Sequence, residues 1–411
     1  MRLASAQGRW LVAAMVLGSG IVFLDGSIVS LALPAIDREL DAGVAGLQWV
    51  VNGYTLMLAG LILVGGALGD SWGRRRVFVV GTLLFATASV LCALAWSADV
   101  LVLARALQGI GGALLTPGSL AIITASIHPD DRGKAIGLWS GLSGVTTAIG
   151  PLLGGWLVDT VGWRSVFWLN VPLAVAVVAI TLRHVPETRG GVSRLDLAGA
   201  ALTIVSLSAL TFGFVDQNWW LVGVGLIVLM LFVWHQMRAP APLVPMTLFA
   251  DRVFAAANLS TFAIYAALSG SMFLLVLHLQ YVAGYTPLQA GLATLPVTIL
   301  MLLFSAAAGE IGSRIGPRLP MTVGPLVAAC GLVLYLRIGR DADLLTEVLP
   351  GTVVFGIGLT TLVAPLTTAV LASAPPDQTG IASGIYNAVS RTAGMMAVAA
   401  IPKRVGIAGP D

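Results

Sequence analysis

Thirteen long apolar runs separated by short polar joints make up the chain, near 10–33, 46–68, 76–96, 99–124, 135–158, 163–182, 195–215, 219–237, 253–280, 286–309, 319–339, 344–371 and 380–401. A helix that crosses the hydrocarbon core needs roughly 20 consecutive apolar residues, so each run predicts a membrane-spanning helix. The joints (Ser71 to Arg76, His128 to Lys134, Arg183 to Arg194) are too short for a soluble domain. The first run follows Arg2 and Arg9 as a signal peptide would, but its length and the Asp25 inside it predict a retained span. Composition agrees: 57% of residues are hydrophobic and 10% charged, against roughly 25% charged in soluble domains.

Charge sets the expected orientation, because the short cytoplasmic loops of membrane proteins carry the excess of Lys and Arg. With the N-terminus in the cytoplasm, Arg2, Arg9, Arg74, Arg75, Arg76, Arg132, Lys134, Arg183, Arg189, Arg194, Arg238, Arg252, Arg314 and Arg318 lie inside. Only Arg38, Arg164, Arg337, Arg340, Lys403 and Arg404 then lie outside. The net charge of +3 thus follows from loop topology and gives no reason to expect nucleic-acid binding. Cys92 and Cys330 sit in separate apolar runs, and His128, His184, His235 and His278 are not closely paired, so neither a disulfide framework nor a metal site is expected.

The chain also repeats itself. Pro129-Asp-Asp-Arg-Gly-Lys-Ala-Ile-Gly137 resembles Pro376-Asp-Gln-Thr-Gly-Ile-Ala-Ser-Gly384 at an offset of 247. Gly66-Ala-Leu-Gly-Asp-Ser-Trp-Gly73 resembles Gly309-Glu-Ile-Gly-Ser-Arg-Ile-Gly316 at 243, and Gly109-Ile-Gly111 matches Gly356-Ile-Gly358 at 247. Internal repeats of this kind build many secondary transporters. They divide the chain into a six-helix bundle over 1–182, two linker spans within 183–252, and a second bundle over 253–411. At the same offset the sixth run should recur near 410–429, beyond Asp411. The second bundle is therefore expected to hold five helices, through truncation or as a natural thirteen-span chain.

These residues carry a family resemblance. Gly66-x-Leu68-Gly69-Asp70-x-x-Gly73-Arg74-Arg75-Arg76 resembles the signature loop of the major facilitator superfamily. Leu24-Asp25 through Pro34-Ala-Ile36, Arg105-x-x-Gln108-Gly109-x-Gly111 and Gly150-Pro151-x-x-Gly154-Gly155 resemble its first-span, fourth-span and antiporter motifs. Six, two and six spans with these motifs resemble the fourteen-span drug:proton antiporters of the EmrB/QacA type. Ser27 and Ser30 stand where that family usually has Thr and Asn, and the last span is absent. The resemblance implies an all-α membrane protein with the major facilitator fold, working without a cofactor as a monomer in the lipid bilayer. It also implies that protons drive export of a small-molecule substrate.

Physical chemistry assigns provisional roles. Asp25 is the only acid well inside a span, where a charge is costly unless it faces a cavity or partner, and a proton-handling role fits. Arg105 lies at nearly the same depth, within about 4 to 5 Å at about 1.5 Å per residue, so the two are expected to face each other. Gly66, Gly69 and Gly73 permit tight turning beside Asp70, Arg74 and Arg75. By resemblance, Asp70 closes the inward face against a helix start near Gly380. Gly144, Gly150, Pro151, Gly154 and Gly155 join a kink-forming proline to small residues that admit close helix packing. Trp49, Tyr54, Gln108, His278, Gln280, Tyr386 and Asn387 are candidates to line a midplane cavity, and Arg391 in the last run has no assigned role. A lone acid among aromatic groups suits a lipophilic, cationic substrate.

Other classes fit less well. Lys134 and Lys403 are the only lysines and neither belongs to a phosphate-binding loop, which argues against an ATP-driven pump. Neither a Gly-x-Ser-x-Gly elbow nor a His-Glu-x-x-His pair is present, so an enzyme is not expected. The competing readings are an exporter of one endogenous metabolite and a membrane sensor that binds a ligand without moving it.

Overall fold

The structure, a computed structural model, describes residues 1–190, 196–316, 318–375 and 379–401. Arg194, Lys403, Arg404 and residues 376–378 of the repeat lie outside this set. Among the described residues all regular structure is helical. The first bundle comprises α1 (Ala6–Leu40), α2 (Gly43–Trp72), α3 (Arg74–Ala93), α4 (Ala98–Ser126), α5 (Pro129–Thr160) and a sixth span broken at Leu169 into α6 (Arg164–Trp168) and α7 (Asn170–His184). Next come α8 (Leu197–Val215) and α9 (Trp219–Arg238). The second half comprises α10 (Arg252–Tyr281), α11 (Pro287–Ile315), α12 (Arg318–Leu334), α13 (Leu349–Ala372) and α14 (Thr379–Ala399). All thirteen runs thus form helices, and eleven of the described spans are long and apolar enough to cross a membrane.

Local chemistry sets the helix ends. Ser5, Ser97, Asp196, Asn218 and Asp251 cap the first turns of α1, α4, α8, α9 and α10, and Thr286 with Gln289 forms a capping box on α11. Gly73 ends α2 at φ 116° and Gly316 ends α11 at φ 85°, a left-handed turn that glycine makes at least cost. The two glycines are a repeat pair. Every helix on the outside presents leucine, valine or tryptophan to its surroundings, most plainly α9 with Trp219, Trp220, Ile227, Met230 and Trp234. Such a surface calls for lipid.

The repeat extends from sequence to helix crossings. A Cβ on Gly109 would collide with the Tyr54 carbonyl, and one on Gly356 would lie 3.0 Å from Val297 Cα, so α4 crosses α2 as α13 crosses α11. A Cβ on Gly111 would strike the Phe85 and Gly81 backbone, and one on Gly358 the Ala328 and Gly324 backbone, so α4 meets α3 as α13 meets α12. Tyr54, Gly81 and Phe85 correspond to Val297, Gly324 and Ala328 at the 243 offset.

One end of the molecule gathers Met1, Asp70, Asp130 and Glu187. There Arg2 pairs with Asp130, the Met1 amino group donates to Ser126 O, and Glu187 accepts from the Arg75 N–H. The other end gathers Asp37, Glu39, Arg164 and Tyr281, with Arg164 paired to Glu39 and Tyr281 donating to Asp37. The two extra helices form a hairpin clasped at the Asp70 end, where His235 and Gln236 bond the two Asp196 oxygens at 2.7 and 2.8 Å. Burial pushes the Asp196 carboxyl up, but bonds from the Gly199 N–H, His235 and Gln236 outweigh it and hold it below the usual carboxylate range.

Candidate functional site

The first-half core holds a charged cluster in which both oxygens of a buried carboxylate are hydrogen-bonded. Arg105 Nη1 donates to Asp25 Oδ2 at 2.5 Å and to Gln108 Oε1 at 2.6 Å, while its Nε donates to Val50 O at 3.1 Å. Asp25 Oδ1 accepts from Gln108 Nε2 at 2.9 Å and from Asn170 Nδ2 at 3.1 Å. Ser89 accepts from both amides and donates to Phe167 O, which closes the network. The Arg105 guanidinium also lies 4.3 Å above the Tyr54 ring. Asp25 and Arg105 are 3% and 2% exposed, which makes this an interior ion pair rather than two walls of a wet cavity.

Five helices supply these side chains, and the local sequence explains how. Gly109 and Gly111 bring α4 against α2 and α3, which places Arg105 and Gln108, one turn apart, against Asp25 of α1. The break at Leu169 starts α7 at Asn170 and aims its amide inward. Matching depth in the sequence predicts the Asp25–Arg105 meeting. Asn170 and Ser89 escape sequence reasoning, since a neutral polar residue in an apolar run has no pattern; the Asn170-Val-Pro172 triplet was the one available signal.

The remaining candidates separate into groups. Gly150 and Gly154 admit α1, where Cβ atoms would meet Ser27 and Ile28. Gly155 faces α11, with a Cβ 2.7 Å from Leu288 Cα, and Pro151 O abuts Gly291 of α11. The motif therefore packs α5 on α1 through Gly150 and Gly154 and forms a seam between halves through Pro151 and Gly155; Gly144 lies on the same helix, its surroundings outside the described residues. Four hydrogen bonds join the halves near the Tyr281 end: Gln48 to Val398 O and Ile401 O, Gln280 to Leu31 O, and Tyr281 to Asp37. Gln280 is thus an interface group, and His278, 3.0 Å from Ile338 O, is tied inside the second half. Trp49 packs on Phe212 of α8, with centroids 4.1 Å apart and rings tilted by 44°, and holds the extra hairpin. Asn387 donates to its own helix at Ser383 O. Tyr54 is buried with its hydroxyl unpartnered, and Tyr386 bonds Tyr265 and Thr367 at 2.9 Å.

The Asp70 loop is organised within the first half. Arg74 pairs with Asp70 at 2.7 Å, Arg75 donates to Val185 O, and Glu187 lies against Gly73 and Arg75. Gly190 N–H donates to Asp70 O and Arg74 N–H to Thr188 O, which fastens the turn to the segment after α7. Gly69 stands against Arg74 and Gly66 against Pro117 of α4. The expected partner of Asp70 near Gly380 adjoins residues 376–378, outside the described set.

A membrane bundle built on an internal repeat, with a buried ion pair at its core, belongs to the class of secondary transporters. The chain is a member of the Major Facilitator Superfamily, whose family model matches residues 15–399. It is 36% identical over 386 residues to the multidrug resistance protein Stp of Mycobacterium tuberculosis, covering 90% of this chain and 71% of that one. It is 35% identical over 415 residues to the probable actinorhodin transporter of Streptomyces coelicolor, covering 96% of this chain and 72% of that one. The inward-open xylose transporter XylE from E. coli superposes with a TM-score of 0.66 at 16% identity, covering 96% of this chain and 89% of XylE.

Proposed function

We propose that this protein is a proton-coupled exporter of lipophilic small molecules, of the fourteen-span drug:proton antiporter type, working by alternating access. The saturated cluster around Asp25 carries this reading. Protonation of Asp25 would remove the anion from Arg105 while leaving its bonds to Val50 and Gln108 in place. Breaking a buried ion pair costs about 3 to 5 kcal/mol. That is close to the roughly 5.5 kcal/mol that moves a two-state equilibrium from 1:99 to 99:1. One proton can therefore bias which way the halves face. Bonds from Gln48, Gln280 and Tyr281 across the halves support a state closed at the Tyr281 end, which the arginine distribution makes the outer side. The N-terminus is then cytoplasmic, Asp70 with Arg74 and Arg75 acts at the inner gate, and the bundles divide at 182 and 252. The tight seam at Gly155 suits antiport because it limits leak, and the relatives named for multidrug resistance and actinorhodin transport support export.

The test uses inside-out vesicles with an imposed pH gradient and three fluorescent probes: ethidium, neutral pyrenebutyramide and pyrenebutyrate. Gradient-dependent movement of at least one, abolished in Asp25→Asn, is the expected result. Probe binding with no flux for any would instead favour the sensor.

A further inference from the structure

Arg391 of α14 carries a charge that no described residue neutralises. Its Nε is buried with no hydrogen-bond partner, while the side chain as a whole is half-buried. It sits on α14 where that helix packs against α2 of the first half, Gly384 meeting Leu63, and the phenol groups of Tyr54 on α2 and Tyr265 on α10 belong to its electrostatic surroundings. The Tyr54 hydroxyl is itself buried and unpartnered. Beyond it, Tyr265 and Tyr386 share a 2.9 Å hydroxyl contact with rings 6.1 Å apart at 88°, an aromatic wall with polar tips. A guanidinium has five N–H donors and no acceptor, and a half-buried one without an anion forgoes charge-assisted bonds that it could make. Asp25 cannot supply that anion, because Arg105, Gln108 and Asn170 already occupy both its oxygens.

We infer that Arg391 and the Tyr54 hydroxyl form a receptor for an anionic oxygen group, and that the exported molecule is an aromatic or lipophilic carboxylate rather than a cation. This rests on the export reading above for the word exported, but the binding claim stands apart from it. A carboxylate matches the fork of a guanidinium with two parallel charge-assisted hydrogen bonds, and Tyr54 adds a third donor on the first-half side. The ring pair of Tyr265 and Tyr386 offers the apolar body of such a ligand a face. Contact with both α2 and α14 would let the ligand's charge, like the proton at Asp25, bias how the halves sit.

The experiment is equilibrium binding to the purified full chain in detergent, with pyrenebutyrate fluorescence read against neutral pyrenebutyramide and ethidium. Wild type should bind the carboxylate at least about 10-fold more tightly than the amide. Arg391→Gln should erase that preference by weakening the carboxylate far more than the amide, Arg391→Lys should keep part of it, and Tyr54→Phe should weaken the carboxylate by about 3- to 10-fold. If Arg391→Gln does not give a monodisperse protein, the Lys and Phe variants carry the test. No preference in wild type, tighter binding of ethidium, or full preference in the Gln variant or in both Lys and Phe variants overturns the inference. Binding preference without gradient-driven flux of any probe would sink the export reading and leave the receptor standing.

Discussion

In the first half, Gly111 lets α4 lie against α3, and in the second Gly358 lets α13 lie against α12 through the corresponding residues. Across that shared plan, Arg105 corresponds to Thr352 at the 247 offset, and Thr352 bonds only carbonyls of its own helix and the turn before it. Tyr54 corresponds to Val297. The first half thus carries a closed, hydrogen-bonded charge cluster, and the second carries Arg391, a cation with no carboxylate partner among the described residues. The backbone has been kept in duplicate while the charges have diverged. A saturated cluster suits an internal switch, whereas an unsatisfied cation suits a ligand.

The largest expected effect breaks the first-half cluster. Arg105→Leu leaves Asp25 buried without its partner and should cost about 3 to 5 kcal/mol, read as a lowered melting temperature in detergent. Adding Asp25→Leu should recover part of that loss, since neighbouring sites in one network are not additive. The second half should respond with the opposite sign. Arg391→Met removes a half-buried charge that has no partner among the described residues and should raise stability by about 1 kcal/mol in the same assay; a loss as large as that of Arg105→Leu would end the contrast between halves. The shared backbone makes a symmetric prediction of intermediate size. Gly111→Val and Gly358→Val should each destabilise by about 1 to 3 kcal/mol, because each side chain meets backbone atoms that cannot step aside. Unequal costs would mean that the two crossings are not equivalent.

The smallest effect concerns the hairpin that belongs to neither half. The Asp196 carboxyl is held below its ordinary value by its partners, so its contribution is present above the unfolded value of 3.8 and lost as pH falls through the lower folded value. Protection of α8 and α9, measured relative to intrinsic amide exchange, should therefore fall in wild type as pH drops below 3.8, and Asp196→Asn should flatten that dependence. An exchange profile unchanged by the substitution would remove Asp196 from the clasp.

Much of this was legible in the sequence, for identifiable reasons. Length and hydropathy specify spans directly, so each of the thirteen runs became a helix, with only a break at Leu169 and short terminal irregularities to add. The Asp25–Arg105 pairing followed from depth alone, because membrane thickness turns position in a run into height. Lateral position is what a run does not encode. Trp49 was expected near a cavity and instead meets Phe212 of the extra hairpin, since which face of α2 covers α8 depends on a crossing angle. Ser89 and Asn170 were missed for the same reason, and Arg391 was visible but gained meaning only once its neighbours proved to be tyrosines.

The central claim is that the first-half cluster couples protons to transport. The most direct test compares uphill movement with energy-independent exchange in proteoliposomes containing wild type or Asp25→Asn. The account predicts that Asp25→Asn still exchanges labelled for unlabelled probe at zero gradient but no longer accumulates it when a pH gradient is imposed. Gradient-driven accumulation by Asp25→Asn at the wild-type level would contradict it.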